Sequence, residues 1–399
     1  MKAPAAILFA VGCAIVQPIP AANAATYTET VLYSFGGPHH DGQRAFSGLI
    51  SVHSTLYGTT SGGGNRGCGA FGCGTAFSLD PSTGAEKVLY RFCFKAKCTD
   101  GDSPSSVIAV NNALYGTTAR GGVADLGTIF VIQRDTGKEK VLYSFCTQSK
   151  CADGTEPFGG LVEVNGILYG TTNGGGSAKY GVVFSLDPNT GVETVIHAFG
   201  EGADGASPYS GMIEVNGMLY GTTYYGGETG AGTVFALDPS TNTEKVLYSF
   251  ASQASPDGWN PYGGLVNVNG TLYGTTVEGG GVPGSDGVGT VFAFNPTTGT
   301  ETLVHSFNGS DGRAPYAGLI AMKGRLYGTT ASGGSADRGT VFSVDPATGT
   351  ESVLHNFLGG ADGDSPWANL VAVKDTLYGT TPMGGANGAG TVFSLAKKH

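Results

Sequence analysis

An Asp-Gly pair recurs seven times, and its aspartates are the residues whose type and spacing most clearly allow chemistry. They are Asp41, Asp100, Asp153, Asp204, Asp257, Asp311 and Asp362. A ring of carboxylates could bind a cation or sugar hydroxyls, and Asp-Gly-Asp at 100–102 and 362–364 suggests calcium, although an EF-hand's spacing and final glutamate are missing. Alternatively, each aspartate bonds its own turn while glycine adopts positive φ. The recurrence favours the turn, because an asymmetric catalytic site would use different residues in different repeats.

An aromatic residue follows the Asp-Gly pair in six of the seven repeats. These residues are Phe46, Phe158, Tyr209, Tyr262, Tyr316 and Trp367, and the remaining repeat has Ser105. Packing between adjacent repeats is the favoured interpretation, and stacking on sugar rings beside the carboxylates is the functional alternative. Trp259 lies outside this register, and we expect its side chain to be an exposed platform for a ligand.

Residues that depart from the repeat are further candidates. His39 and His40 precede Asp41 and have no counterpart in other repeats. They could supply a catalytic base or metal ligands, or they could form a solvated loop pair. Arg44 and Arg120 belong to a cluster of cations in the first three repeats, which could orient an anionic polysaccharide.

Three other histidines occupy the tyrosine position of a recurring VLYSF segment. They are His197, His305 and His355, and we interpret them as packing substitutions. The sequence contains no G-x-S-x-G elbow, no HExxH and no phosphate-binding GK[ST] motif. No reaction is therefore indicated by a recognised catalytic motif.

Residues 1–24 have the pattern of a secretory signal peptide. Lys2 is followed by an apolar run over 5–16, which is too short to cross a bilayer, and Ala22-Asn23-Ala24 resembles a cleavage site. We therefore expect a secreted or periplasmic protein without a membrane span. Lipoprotein attachment at Cys13 is the less favoured alternative.

The six cysteines beyond the signal form three couples with the same spacing of five. The couples are Cys68 and Cys73, Cys93 and Cys98, and Cys146 and Cys151. Fifteen connectivities are possible, but this spacing within single loops favours local disulfides, which an exported chain can form.

A sequence repeat predicts the strands and loops that position these residues. The pentapeptide LYGTT begins at residues 56, 114, 168, 219, 272, 326 and 377, at intervals of 51 to 58 residues. A period near 50 with several short strands per unit is typical of a propeller. Seven such units account for residues 25–399, so we predict one all-β domain, a seven-bladed β-propeller with four antiparallel strands per blade.

Four strands are predicted in each unit, as in the one that begins at Asp257. They are Gly264–Val268, Thr271–Thr276, Gly289–Asn295 and Glu301–Phe307, with an Asn-Gly hairpin between the first two. The seventh unit ends after its third strand, Thr391–Leu395. The strand that it lacks occurs near the N-terminus as Glu29–Phe35, and we predict that this strand completes the last blade and closes the ring.

This pattern resembles the GloVer tandem-repeat family of exported bacterial proteins. The resemblance rests on the recurring DGxxPxxGL, LYGTT and GTVF segments and covers roughly residues 26–395. It implies a β-propeller-like fold without an assigned activity. Other members are described as having a choice of anchors, and no C-terminal anchor is recognised here.

The amino-acid composition and net charge restrict the classes of partner that the protein could bind. The chain has 69 glycines, 13% charged residues and a net charge of −10, which suits a β-protein and disfavours nucleic acid as a partner. We expect a monomer that binds carbohydrate or a cell-surface polymer on the face carrying the Asp-Gly loops. The alternative is a polysaccharide lyase or glycoside hydrolase with its site at the central channel mouth.

Overall fold

The computed structural model describes residues 26–37, 41–64, 68, 71–200, 202–251, 256–281 and 287–398. These residues form seven four-stranded antiparallel sheets arranged as the blades of a β-propeller. The first strands of neighbouring blades lie beside one another around the centre, and the fourth strands lie outermost. The predicted fold class is confirmed.

The strands are named below in chain order within each blade. Blades 1 to 4 consist of Ile50–Val52, Thr55–Thr60, Thr75–Asp80 and Ala85–Arg91; Asp102–Val110, Ala113–Arg120, Thr128–Gln133 and Glu139–Ser144; Val162–Val164, Ile167–Thr172, Val182–Leu186 and Glu193–Ala198; and Ile213–Val215, Met218–Thr223, Thr233–Asp238 and Thr243–Ser249. Blades 5 to 7 consist of Val266–Val268, Thr271–Thr276, Thr290–Asn295 and Thr300–Ser306; Ile320–Met322, Arg325–Thr330, Thr340–Val344 and Glu351–Asn356; and Val371–Val373, Thr376–Thr381, Thr391–Lys397 and the N-terminal Tyr27–Ser34.

Short elements in the loops complete the described structure. They are two-residue ladders, Gly42–Gln43 with Gly62–Gly63 and Gly205–Ala206 with Tyr225–Gly226, and the 3-10 turns Ala96–Cys98, Ser149–Cys151 and Gly360–Asp362. Within the described ranges, no helix is long and apolar enough to span a membrane.

The hairpin of blade 5 has the turn that its sequence predicts. Asn269 and Gly270 have φ values of +52° and +88°, as a type I′ turn requires. The second strand has its predicted bounds, but the first is shorter than predicted and begins at Val266. The two preceding residues, Gly264 and Leu265, line a central cavity instead of extending the ladder.

The N-terminal strand closes the ring as predicted. Tyr27–Ser34 pairs antiparallel with Thr391–Lys397, from Tyr27 opposite Lys397 to Ser34 opposite Thr391. Phe35 follows this strand, is fully buried, and its ring centroid lies 5.2 Å from that of Phe77 in blade 1. The closing segment therefore completes one blade and packs against the next.

The glycine of LYGTT makes room for the phenylalanine of GTVF on the adjacent strand. A Cβ added to Gly274 would lie 2.5 Å from Cζ of Phe292, and the equivalent glycine of every blade faces a phenylalanine in the same way. These phenylalanines, Phe77, Phe130, Phe184, Phe235, Phe292, Phe342 and Phe393, are fully buried. The two motifs are thus two sides of one packing contact.

The first threonine of LYGTT links each blade to the next. Its hydroxyl donates a hydrogen bond, over 2.7 to 3.4 Å, to a carbonyl that precedes the neighbouring blade's first strand or, for Ser105 in blade 2, lies within it. The pairs are Thr59–Ser105, Thr117–Gly159, Thr171–Ser210, Thr222–Gly263, Thr275–Ala317, Thr329–Ala368 and Thr380–Ser47. This ring of bonds fixes the segments that carry the predicted aromatic residues.

The three local disulfides are present. They join Cys68 to Cys73, Cys93 to Cys98 and Cys146 to Cys151, each across a loop. The first two lie close together, since the sulfur atoms of Cys68 and Cys98 are 3.9 Å apart. These bridges are consistent with an extracellular protein.

Candidate functional site

A cavity of about 510 Å³ lies at the centre of the ring. It is lined mainly by the residues that precede the first strand of each blade. The lining comprises 46–48, 103–106, 158, 160–161, 209–213, 262–265, 316 and 367–369, together with Ser61 and Ala119. The cavity therefore lies on the side of the molecule formed by the loops that enter each blade and those that follow LYGTT.

Six aromatic side chains form a crescent around this cavity. The aromatic crescent comprises Phe46, Trp367, Tyr316, Tyr262, Tyr209 and Phe158, one from every blade except the second. Tyr316 stacks on Trp367 with ring centroids 4.2 Å apart, and Tyr209 stacks on Tyr262 at 4.8 Å. The remaining neighbours meet edge-on or tilted at 5.1 to 5.9 Å. These residues both pack between blades and line the cavity, so the two interpretations of their repeat are compatible.

The crescent is open at blade 2, where serines replace the aromatic residue. Ser105 donates from Oγ to the carbonyl of Pro157, whereas the buried Oγ of Ser106 has no hydrogen-bond partner. We call this opening the serine gap. Small hydroxyl-bearing side chains therefore border the cavity where the aromatic residue is missing.

Arg44 belongs to the loop that enters blade 1, next to the serine gap, and Arg120 ends the second strand of blade 2. The guanidinium carbon of Arg44 lies 3.6 Å from the ring centroid of Phe71. Arg120 is exposed and directly follows Ala119, which lines the cavity. The positive charges therefore lie on the side of the ring where the aromatic crescent is open.

Acidic and phenolic groups occupy the other side of the ring. Burial, with a smaller effect from the charge of Glu278, raises the pKa of Tyr224 to about 12. Burial also raises the pKa of Tyr262 to about 12, with neighbouring tyrosines contributing. These phenols stay protonated near neutral pH and therefore act as hydrogen-bonding and stacking groups rather than as bases.

Trp259 is not the exposed platform that the sequence analysis expects. Its side chain is 6% exposed, packs in a core cluster and donates from the indole nitrogen to Oε2 of Glu278 over 2.6 Å. The expectation is wrong because Glu278, although itself exposed, accepts the indole N–H at the edge of the core and lets the ring of Trp259 be buried. Trp367 is the tryptophan that borders the cavity.

The seven Asp-Gly aspartates lie between neighbouring blades, where each carboxylate makes at least two hydrogen bonds. Asp100, for example, is fully buried and accepts from the Tyr90 hydroxyl at 2.7 Å and from the backbone N–H groups of Phe94 and Lys95. Gly101 has φ +99°. This geometry supports the turn interpretation, and none of these aspartates lines the cavity.

A glutamate that the sequence analysis did not single out completes each of these contacts. We define a seam as three residues: a Tyr or His in the outermost strand of one blade, the following Asp, and a Glu in the outermost strand of the next blade. The seven seams are 33/41/86, 90/100/139, 143/153/193, 197/204/244, 248/257/301, 305/311/351 and 355/362/29. In the sequence, a glutamate lies four residues before the Tyr or His of every VLYSF-type segment, and this recurrence could have identified the seam glutamates.

Each seam glutamate has a buried carboxylate oxygen whose hydrogen-bonding capacity is not satisfied by the described residues. Among the described residues, no hydrogen-bond partner is found for Oε1 of Glu29, Glu86, Glu139, Glu193, Glu244, Glu301 and Glu351. Burial, followed by the charge of Asp257, raises the pKa of Glu301 to about 8. The same cause raises the pKa of most of the others to about 7.

The stability of the protein is expected to decrease with pH because of these groups. Glu301 stays protonated in the folded state up to about pH 8, whereas the unfolded chain releases this proton near its ordinary pKa. The free energy of unfolding thus falls between about pH 4.5 and pH 8. Glu301→Gln keeps the neutral form, and denaturation at pH 9 is expected to show a gain of about 1 kcal/mol.

This gain is expected to be absent at pH 4, where both proteins have a neutral side chain at residue 301. Glu228→Gln, at an exposed loop position, is the control for the loss of one negative charge. An equal effect of Glu301→Gln at both pH values would contradict the assignment.

The other predicted residues have separate surroundings. His39 and His40 lie outside the described residues. The second aspartates of the Asp-Gly-Asp triplets make contacts of their own: Asp364 pairs with Arg338, and Asp102 accepts from Ser103. Calcium binding by these triplets stays a prediction.

Comparison with known proteins identifies the repeat. The model of the Gloeobacter/Verrucomicrobia repeat matches residues 66–283 and 282–399. The chain belongs to the Gloeobacter/Verrucomicrobia repeat family. This is the family that the recurring sequence motifs resemble. No curated protein matches the sequence of this chain.

Solved structures similar to this repeat protein share its fold at low sequence identity. An oligogalacturonate lyase from Vibrio parahaemolyticus is 11% identical with a TM-score of 0.58, and the match covers 92% of this chain and 93% of the lyase. An oligogalacturonate lyase in complex with manganese is 12% identical, with a TM-score of 0.56 and coverages of 94% and 95%. A europium-containing methanol dehydrogenase is 12% identical, with a TM-score of 0.55 and coverages of 92% and 93%. Because these chains differ in activity, the similarity supports the fold alone.

Proposed function

We propose that the protein is an exported carbohydrate-binding module that holds an anionic sugar polymer over its central cavity. The observation that carries the proposal is the aromatic crescent with its single polar opening, the serine gap. Sugar rings have apolar faces that suit aromatic side chains, and their hydroxyls suit the serine hydroxyls of the cavity lining. The cavity volume is also within the ordinary range for small-ligand sites.

The charge distribution favours an acidic polymer. Arg44, in the loop that enters blade 1, and Arg120, at the end of a strand of blade 2, belong to the side of the ring with the serine gap, while Glu278 lies on the side of Tyr224. A uronate carboxylate would gain an attractive potential on the first side only, which would fix the direction in which the polymer lies. Two similar structures are oligogalacturonate lyases by name, so polygalacturonate is the first polymer to test.

The lining favours binding over bond cleavage. The polar side chains among the described residues that line the cavity are serines, tyrosines and Asn369. Hydrolysis requires two carboxylates, and a lyase requires a base of suitable pKa. Tyr262 does not supply that base at neutral pH, because burial raises its pKa to about 12.

Substitution of the stacked pair tests the proposal. Trp367→Ala removes one face of the Tyr316 stack, and we expect the Kd for polygalacturonate to rise at least about tenfold in calorimetry, as for other aromatic anchors. Tyr225→Ala is the control, because Tyr225 is 50% exposed and lies outside the cavity lining. An equal rise in Kd in both variants would contradict binding at the aromatic crescent. Unsaturated uronides among the products would contradict binding without cleavage.

A further inference from the structure

Three of the seven seams contain histidine in place of tyrosine. They are 197/204/244, 305/311/351 and 355/362/29, and in each seam one nitrogen and two carboxylate oxygens lie within 4.8 Å of one another. The outermost strands supply the histidine and the glutamate, so these seams are separate from the central cavity.

The seam of His197 has the best-defined donor atoms. Nε2 of His197 lies 3.2 Å from Oδ2 of Asp204 and 3.9 Å from Oε2 of Glu244. Around a tetrahedral Zn²⁺ with bonds near 2.1 Å, donor atoms are about 3.4 Å apart. The observed separations bracket this value, so a small displacement of the side chains would place all three donors on one ion.

The surroundings of this seam hold the donors in place and leave them reachable. The backbone N–H of Gly200 donates to Oδ2 of Asp204 over 2.8 Å, which fixes the carboxylate. The Glu244 side chain is only 8% exposed, and its Oε1 has no hydrogen-bond partner in the part of the chain that the structure describes, whereas His197 and Asp204 are 24% and 23% exposed. A buried, incompletely bonded carboxylate is stabilised by a cation, which solvent can deliver here.

We propose that each of the three histidine seams binds one divalent transition-metal ion, such as Zn²⁺, and links the outermost strands of two adjacent blades. The donor set of one imidazole and two carboxylates suits such an ion, and a fourth position remains for water. Calcium is disfavoured, because it prefers oxygen ligands alone. The third site joins His355 and Asp362 to Glu29 of the closing strand.

The tyrosine seams of the same chain are built-in references. In the seam of Tyr248 the phenol donates its proton to Oδ2 of Asp257 over 2.5 Å, and burial raises the pKa of this phenol above its ordinary value. The phenol therefore keeps its proton and offers no comparable ligand. Replacing the histidine of a proposed metal seam by tyrosine therefore gives a tyrosine seam, which the fold already contains between other blades.

Zinc counting distinguishes the metal from a bound proton. The full-length protein, untagged, unreduced and stripped with EDTA, is dialysed against Zn²⁺, and bound metal is measured by mass spectrometry. We expect His197→Tyr, His305→Tyr and His355→Tyr, combined in one variant, to bind three fewer ions per chain and to lose the rise in Tm that Zn²⁺ gives the native protein. Any binding at other histidines is common to both proteins and cancels.

A gain-of-site variant guards against loss of folding in the triple variant. Tyr248→His introduces the same donor set beside Asp257 and Glu301, and we expect one additional bound Zn²⁺. Equal zinc counts in the native and triple variants, or Ca²⁺ bound as well as Zn²⁺ at the same seams, would overturn the proposal and leave the seams as proton-sharing contacts.

Discussion

Deletion of residues 26–35 is expected to unfold blade 7 and to cause aggregation. The third strand of that blade, Thr391–Lys397, would lose its ladder partner and become an exposed edge. Phe35 would also leave the cluster around Phe77. We expect Tm to fall by more than about 10 °C, since several kcal/mol of packing and pairing are removed together. Calorimetry and light scattering measure the two effects.

A circular permutant is the matched control for this deletion. The backbone N–H of Lys398 donates to the carbonyl of Thr26 over 2.8 Å, so a short glycine-serine linker can join residue 398 to residue 26. In a chain that begins at residue 36 and ends with residues 26–35, the same strand reaches the same place. Recovery of the native Tm in the permutant is expected. A deletion variant that does not aggregate and has an unchanged Tm would contradict closure.

Gly274→Ala is expected to destabilise the protein strongly by overpacking the core of blade 5. The new Cβ would lie 2.5 Å from Cζ of Phe292 and 3.0 Å from Cδ2 of Leu265, in a core without room to move. We expect the free energy of unfolding to fall by about 3 kcal/mol, the upper end for overpacking. Urea denaturation monitored by circular dichroism measures this loss.

Two further variants separate overpacking from a general intolerance of alanine. Gly264→Ala places a Cβ no closer than 3.7 Å to any neighbour and is expected to change stability by less than about 0.5 kcal/mol. Phe292→Leu alone leaves a cavity, but combined with Gly274→Ala it provides the missing space. We expect the double variant to be more stable than the sum of the two single losses predicts, and strict additivity would contradict the contact.

Much of the fold could be predicted because each blade repeats the same local signals. The dipeptide Asn269-Gly270 is sufficient to predict a hairpin. The strand that ends before Phe35 lies at the N-terminus although it belongs to the last blade, and this position predicts how the ring closes. Strand bounds near the centre could not be predicted. Gly264 and Leu265 fit a strand pattern, but they border a cavity that exists only when seven blades come together.

The candidate site was only partly visible in the sequence. The register of the aromatic residues was visible, but their placement around one cavity depends on the radial arrangement of the blades. Trp259 was assigned to the surface because its partner, Glu278, lies on a different loop. The seam glutamates recur as regularly as the aspartates, yet a charged residue in an outermost strand gives no sign of burial until the next blade covers it.

Tryptophan fluorescence tests the central cavity most directly, because the chain has only two tryptophans. Trp259→Phe leaves Trp367 in the aromatic crescent as the only emitter, and circular dichroism verifies that this variant folds. On titration with polygalacturonate we expect a saturable change in Trp367 emission whose midpoint equals the calorimetric Kd. Binding of the polymer without any change in Trp367 emission would contradict the central site, as would failure to bind any acidic polysaccharide.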